Sequence, residues 1–326
     1  MLFMKNIFFW IFLFVIICQS NLFAQKPVQV ILDTDMDSDV DDVGALAMLH
    51  AYERQGKANI LGIIVTSDDL YSAACTDAIN TYFNRKDIPI GVSQKDSLKS
   101  FSKYTEKIAS EFPHQLSSNA AAETSTSVYR RILAGQPDHS VVIITLGHLT
   151  SLSNLLASPA DKISSLTGEE LVARKVKSWS CMGGRFPSGK EANFYRPDPA
   201  STVACLKAWK LPVTFAGWEV GEQIVTGGKF FKANSDPLSP VSRAYELYNQ
   251  FKGRASWDQV AVMEAIEGAE PNFSIIKNGT CIVSPDGSNT WSEKTGNYFH
   301  SYLKIKSSPR AISQRIDQLM LNHLYK

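Results

Sequence analysis

Residues 28–49 read VQVILDTDMDSDVDDVGALAML, an apolar run that empties into six aspartates within ten positions and then restarts. Val28–Leu32 is short and rich in branched residues, as in a buried strand. Val43, Leu46, Ala47 and Leu49 return at helical spacing, which keeps one face of a helix against a sheet. The stretch is therefore a strand, an acidic turn and a helix. Asp41 and Asp42 stand near the helix N-terminus, where the helix dipole favours ionised carboxylates. Asp33 and Asp35 are expected to project from the strand end on the same side. So many like charges raise one another's pKa values unless something compensates them. A hard divalent cation with all-oxygen ligands does so, and leaves one carboxylate to handle a water proton.

The same alternation continues outward. Ile60–Thr66 leads to a helical pattern over Tyr71–Asn84, and Val141–Leu146 to one over Leu149–Ala157. Val176–Met182 and Val213–Ala216 read as further buried strands, with Pro199–Trp209 a helix between them. Trp257–Ile266 and Ile312–Leu324 read as later helices, and Asn278–Asn297 as a β-hairpin turning at Pro285-Asp286-Gly287. This order predicts an α/β fold with a doubly wound, mostly parallel open sheet. Between Ser93 and Glu123 the chain turns polar without a sustained period, through Ser97-Leu98-Lys99 and Phe112-Pro113-His114. It is expected as a loop insertion over the carboxyl edge of the sheet, where such folds bind ligands.

The chain has 326 residues, a net charge of +1 and 44% apolar residues. That is enough for one large domain, taken as 25–326, with no linker to divide it. Near-neutral charge without a basic stripe argues against nucleic acid as a partner. Lys5, the apolar run Ile7–Ile17 and the small-residue point at Ala24-Gln25 read as a signal peptide over 1–24. The expected location is therefore exported, periplasmic or extracellular, with no stable membrane span once the leader is removed. The bulky Val15-Ile16-Ile17 before Cys18 argues against a lipid anchor. Cys75, Cys181, Cys205 and Cys281 are widely spaced and read as buried free thiols, with no zinc spacing.

Three other readings of the aspartates compete. An EF-hand loop fails because Ser38 stands where glycine is required and Gly44 where the bidentate glutamate belongs. A haloacid-dehalogenase-like phosphatase also opens with strand-DxD, but its later lysine and acidic pair find no clear place. A solvated acidic turn rarely follows a buried strand so tightly.

Asp33-Thr34-Asp35 with Asp41-Asp42-Val43-Gly44-Ala45-Leu46 resembles the inosine/uridine-type nucleoside hydrolases, whose signature is strand-DxDPGxDDxxAL. The spacing between DxD and DD is two residues longer here. Leu146-Gly147-His148-Leu149-Thr150-Ser151 is similar to that family's xGPLTN turn, and Met182-Gly183-Gly184 to its MGG. Glu191-Ala192-Asn193-Phe194 with Asp198-Pro199 is similar to its EFN…DP segment, and Trp257-Asp258 stands in the place of its late HD. The resemblance runs in order over residues 28–262.

The resemblance implies a Rossmann-like nucleoside hydrolase fold and cleavage of ribonucleosides to free base and ribose. It implies calcium (Ca2+) held by Asp35, Asp42, the Leu146 carbonyl and Asp258, with Asp35 also the catalytic base. Asp41, Asn193 and Glu191 would bind the ribose hydroxyls, and a homodimer or homotetramer is expected. Trp257 replaces a histidine proposed to protonate the leaving base. A tryptophan can stack on a purine but cannot deliver that proton, which tilts the expected substrate toward purine nucleosides. Asp69 is the best match to an asparagine that contacts ribose. The Arg185–Lys190 segment lacks the usual asparagine, so Arg185 and Lys190 are candidates to accept a 5′ substituent. A nucleoside-binding protein without turnover, or a hydrolase of another ribosylated compound, are the alternatives.

Overall fold

The structure is a computed structural model describing residues 26–93, 100–294 and 299–321. The expected signal peptide, Ser97-Leu98-Lys99, Asn297 and Leu324 lie outside the described residues. Thirteen strands occur among them. The first six are β1 (Val28–Thr34), β2 (Ala58–Val65), β3 (Ile90–Val92), β4 (Glu123–Thr124), β5 (Val141–Thr145) and β6 (Val176–Met182). The rest are β7 (Ser188–Lys190), β8 (Val213–Ala216), β9 (Val225–Thr226), β10 (Arg254–Ala255), β11 (Phe273–Val283), β12 (Ser288–Ser292) and β13 (His300–Ile305).

Eleven of them form one sheet in the order β4-β3-β2-β1-β5-β6-β8-β13-β11-β12-β7, and β9 pairs only with β10. The pairings from β4 through to β13 are parallel, and those of β11, β12 and β7 are antiparallel. The chain thus winds outward from β1 on one side, then returns to build outward from β5 on the other. The reversal opens a crevice at the carboxyl ends of β1 and β5, where such sheets take ligands.

Side-chain alternation fixes the layers. Val30 and Leu32 of β1 enter one apolar cluster while Ile31 enters the other, and β5 divides Val142 and Ile144 from Val141 and Ile143 in the same way. Both strands are buried on both faces, which is why they read as unbroken apolar runs. Helices Asp41–Arg54, Ser72–Tyr82, Pro240–Asn249, Trp257–Glu267 and Pro309–Met320 cover the first face. Ser125–Ala134, Thr150–Leu156, Gly168–Lys175 and Pro199–Ala208 cover the second. The doubly wound reading holds, and the four cysteines are buried and unpaired. Among the described residues no helix is long and apolar enough to cross a membrane.

The structure goes beyond the expected elements, adding among others the helices Ser125–Ala134, Gly168–Lys175 and Pro240–Asn249, and departs from them elsewhere. The Ser93–Glu123 stretch contains a helix, Thr105–Glu111, where the sequence shows no period. Tyr104, Ile108 and the small Ala109 are its buried apolar residues, too few to set a pattern. β13 inserts between β8 and β11, a long-range pairing that local sequence does not specify. The last helix begins at Pro309 rather than Ile312, proline being well suited to a first turn.

The Asp41–Arg54 helix is fixed at both ends. Near its start, a Cβ on Gly44 would meet Gln259 Nε2, Tyr245 Oη and Met320 Sδ, so glycine lets the neighbouring helices close in. Near its end His50 is buried, contacts Asn80 Oδ1 through Nε2 at 2.9 Å and stacks on Phe83 at 4.5 Å. Burial lowers the His50 pKa to about 3. Between the unfolded value of roughly 6.5 and that value, the unfolded chain gains a proton that the folded one refuses. Stability contributed by this residue is therefore lost as pH falls, by up to about 1.4 kcal/mol per pH unit. Urea titrations of the wild type and His50→Gln should diverge in slope by one proton across this window, and parallel pH profiles would contradict a neutral buried imidazole.

Candidate active site

β1 ends at Thr34, and the chain turns through residues 35–40 into the Asp41–Arg54 helix, whose first turn carries Asp41 and Asp42. The Trp257–Glu267 helix carries Asp258 in its own first turn. The two helices pack together with their N-termini converging, so two dipoles favour anions at one point. Asp41, Asp42 and Asp258 each offer an oxygen there, all within 4.8 Å of one another. The Asp258 backbone N–H donates to Asp41 Oδ2 at 3.3 Å, and Thr34 Oγ1 donates to Asp42 Oδ1. Asp35 lies against the turn after β5, so close that a Cβ on Gly147 would overlap its carboxyl group.

Burial is the main force on these acids. It raises the Asp35, Asp42 and Asp258 pKa values well above the carboxylate range, and the charges of neighbouring aspartates push the same way. Asp41 rises to about 7 for the same reasons. Such a group of oxygens, enclosed and mutually repelling, suits a hard divalent cation and lacks the sulfur or imidazole donors of a softer site. The Leu146 carbonyl accepts from Asn193 Nδ2 at 2.5 Å and faces the same cleft. A carbonyl has a second lone pair, so this bond does not bar it from a metal.

The cleft has a volume of about 560 Å³. Asp35, Asp41, Asp42, Leu146, Glu191, Asn193, Trp257 and Asp258, all expected from the sequence, line it together. Glu191 caps the short Ala192–Tyr195 helix, accepting from the backbone of Asn193 at 2.9 Å and of Gly184 at 3.0 Å. Burial raises its pKa to about 7. Asn193 Nδ2 also reaches the Met182 carbonyl at 3.3 Å, clamping the ends of β5 and β6 together. Trp257 donates from Nε1 to the Trp218 carbonyl at 2.9 Å.

Asp69 is a correction. Its carboxylate is fully buried and accepts from the backbone of Phe101 at 2.8 Å and Ser102 at 2.9 Å, from Thr105 Oγ1 at 2.7 Å and from the Tyr71 backbone at 3.1 Å. It pins a loop, and the cleft is lined by Asp68 instead. Asp33 is a second correction. It points away from Asp35, accepting from Thr66 Oγ1 and, at 2.7 Å, from Tyr129 Oη. The strand ends at Thr34, so the two-residue alternation does not carry through to Asp35.

The unexplained acids of the turn also gain partners. Asp37 accepts from Ser67 Oγ at 2.6 Å and from the Ser38 backbone, and burial raises its pKa to about 6. Asp39 accepts from Tyr248 Oη at 2.9 Å and Arg254 Nη2 at 2.7 Å, while its carbonyl takes Tyr104 Oη at 2.7 Å. Arg185 lies over the ring of Trp218, a residue that lines the cleft, at 4.4 Å, and Lys190 pairs with Asp286 at 3.1 Å. Sequence reasoning missed Trp218 and Arg254. Trp218 follows β8 directly, a position the sheet-edge rule points to. Arg254 reaches Asp39 only through tertiary packing and carried no local signal.

A family model described as inosine-uridine preferring nucleoside hydrolase matches residues 30–306. No curated protein matches the chain. Among solved structures, an inosine-uridine preferring nucleoside hydrolase from Bacillus anthracis is similar with a TM-score of 0.66 at 14% identity, covering 90% of this chain and 99% of that one. The plant nucleoside hydrolase PpNRh1 gives 0.65 at 15%, covering 91% and 99%. The type III effector XopQ, solved with adenosine diphosphate ribose, gives 0.63 at 15%, covering 91% and 93%. These likenesses show the shared fold. With the family match spanning most of its length, the chain belongs to the inosine-uridine preferring nucleoside hydrolases and is a hydrolase of N-glycosyl compounds.

Proposed function

We propose that the protein is a calcium-dependent nucleoside N-ribohydrolase that favours purine nucleosides. The observation that carries this reading is the meeting of Asp41, Asp42 and Asp258 in a cleft whose rim holds Trp218 and Trp257. Asp35, Asp42, Asp258 and the Leu146 carbonyl form the all-oxygen set that would hold calcium. When bound, the ion would position water and ribose hydroxyls and supply positive charge to lower the water's proton affinity.

The protein's own groups account for the rest. Asp35, whose surroundings strengthen its hold on a proton, takes one from the attacking water. Asp41 accepts from the ribose hydroxyls, and Asn193 with Glu191 fixes the wall beside them. Water oxygen bonds to C1′ as the bond to the base breaks. The surrounding carboxylates stabilise the positive sugar of the transition state. Trp257 offers a face for the base, and stacking of this kind contributes roughly 1–3 kcal/mol. The apolar leader at the start of the sequence supports action outside the cytoplasm.

Asp35→Asn should lower kcat by roughly 10²–10⁴-fold, the usual contribution of a general base, with the circular dichroism spectrum unchanged. Asp42→Asn should also abolish calcium binding in calorimetry, and an unaltered calcium affinity would remove Asp42 from the ligand set. The folded carboxyls bind protons more tightly than unfolded ones, so their contribution to stability of the metal-free protein is present at low pH and lost as pH rises, for Asp41 through about 7. Calcium competes with those protons. A chelator should therefore lower Tm more at pH 8 than at pH 6, and a pH-independent drop would speak against this cluster as the metal site.

A further inference from the structure

The N-ribohydrolase reading leaves one place beside the departing base without a proton donor, because Trp257 stands where the family signature has a histidine. Within the cleft Arg254 lies beside Trp257, its guanidinium carbon 4.7 Å from the centre of the Trp257 ring. Nη2 is engaged with Asp39 at 2.7 Å. Nε is enclosed without a hydrogen-bond partner. Nη1 likewise has no protein partner among the described residues, and unlike Nε it is not enclosed.

The group is held on several sides. Asp39 fixes it by an ion pair, Tyr248 lies 5.8 Å from the guanidinium, and Tyr248 Oη donates to the other oxygen of Asp39. Asp39 is in turn placed by Tyr104, which donates to its backbone carbonyl. A half-buried guanidinium kept in one orientation at low local dielectric is a preorganised stabiliser of negative charge. It stays protonated throughout, so it acts by hydrogen bonding and charge and transfers no proton.

We propose that Arg254 is a catalytic residue that stabilises the base as it leaves with negative charge, and that Asp39 is its positioning residue. The inference rests on the N-ribohydrolase reading. In the step, the bond from C1′ to the base nitrogen breaks and its electron pair passes to the base. The water oxygen forms the new bond to C1′, and the water proton goes to Asp35. The anionic base departs paired with the guanidinium, then takes a proton from solvent, while Asp35 returns its proton to solvent. The lengthened acidic turn acquires a purpose from this, since Asp39 lies within it.

The test compares two substrates in the calcium-replete protein: inosine, whose base leaves poorly, and 4-nitrophenyl β-D-ribofuranoside, whose leaving group is already stable as an anion. Arg254→Met should lose roughly 10²–10³-fold in kcat on inosine, the effect of removing one preorganised donor, and less than about tenfold on the nitrophenyl riboside. Asp39→Asn should show the same selective loss, smaller in size, and Arg254→Lys should recover part of the inosine rate. Equal losses on both substrates, with wild-type turnover intact, would reduce Arg254 to a structural residue and overturn the proposal alone. Failure of the wild type to cleave either substrate would overturn the N-ribohydrolase reading and this proposal with it.

Discussion

Mutual repulsion among Asp35, Asp41, Asp42 and Asp258, enclosed at one point on the sheet edge, is the constraint around which the protein is arranged. Each ion taken out of water costs several kcal/mol unless it is compensated. The fold brings two helix N-termini to that point, adds donors from Thr34 and the Asp258 backbone, and leaves the remaining negative charge for a cation. The scaffold must be rigid to hold such a group together. β1 and β5 are buried on both faces, and the glycines at 44 and 147 let neighbours approach more closely than any side chain would permit.

Much of this is legible in the sequence because the signals are local. Val28–Leu32 succeeded by acids and then by Val43, Leu46 and Leu49 is a strand, turn and helix whatever surrounds it. The carboxyl end of a parallel strand also delivers the next few residues to the ligand edge. The eight site positions that do line the cleft come from segments tied to a strand end or to the first turn of a helix. Asp69 escapes such a reading since two adjacent acids differ only in which way the loop turns them. That direction is set by Phe101, Ser102 and Thr105, more than thirty residues away. β13 is invisible for a related reason, its place beside β8 depending on the whole sheet.

The turn itself shows a division of labour that composition conceals. Six aspartates look interchangeable in sequence, yet Asp33 braces the far face through Tyr129, Asp37 ties the turn to Ser67, and Asp39 reaches Tyr248 and Arg254. Asp37 and Asp39 still line the cleft, where Asp35, Asp41 and Asp42 gather with Asp258 as a chemical group. Spacing within the turn thus encodes direction.

Asp69 has a wider consequence. By gathering four donors it sets where Phe101 stands at the mouth of the cleft. A change at Asp69 therefore reshapes the mouth of the cleft from a distance and leaves the clustered aspartates in place.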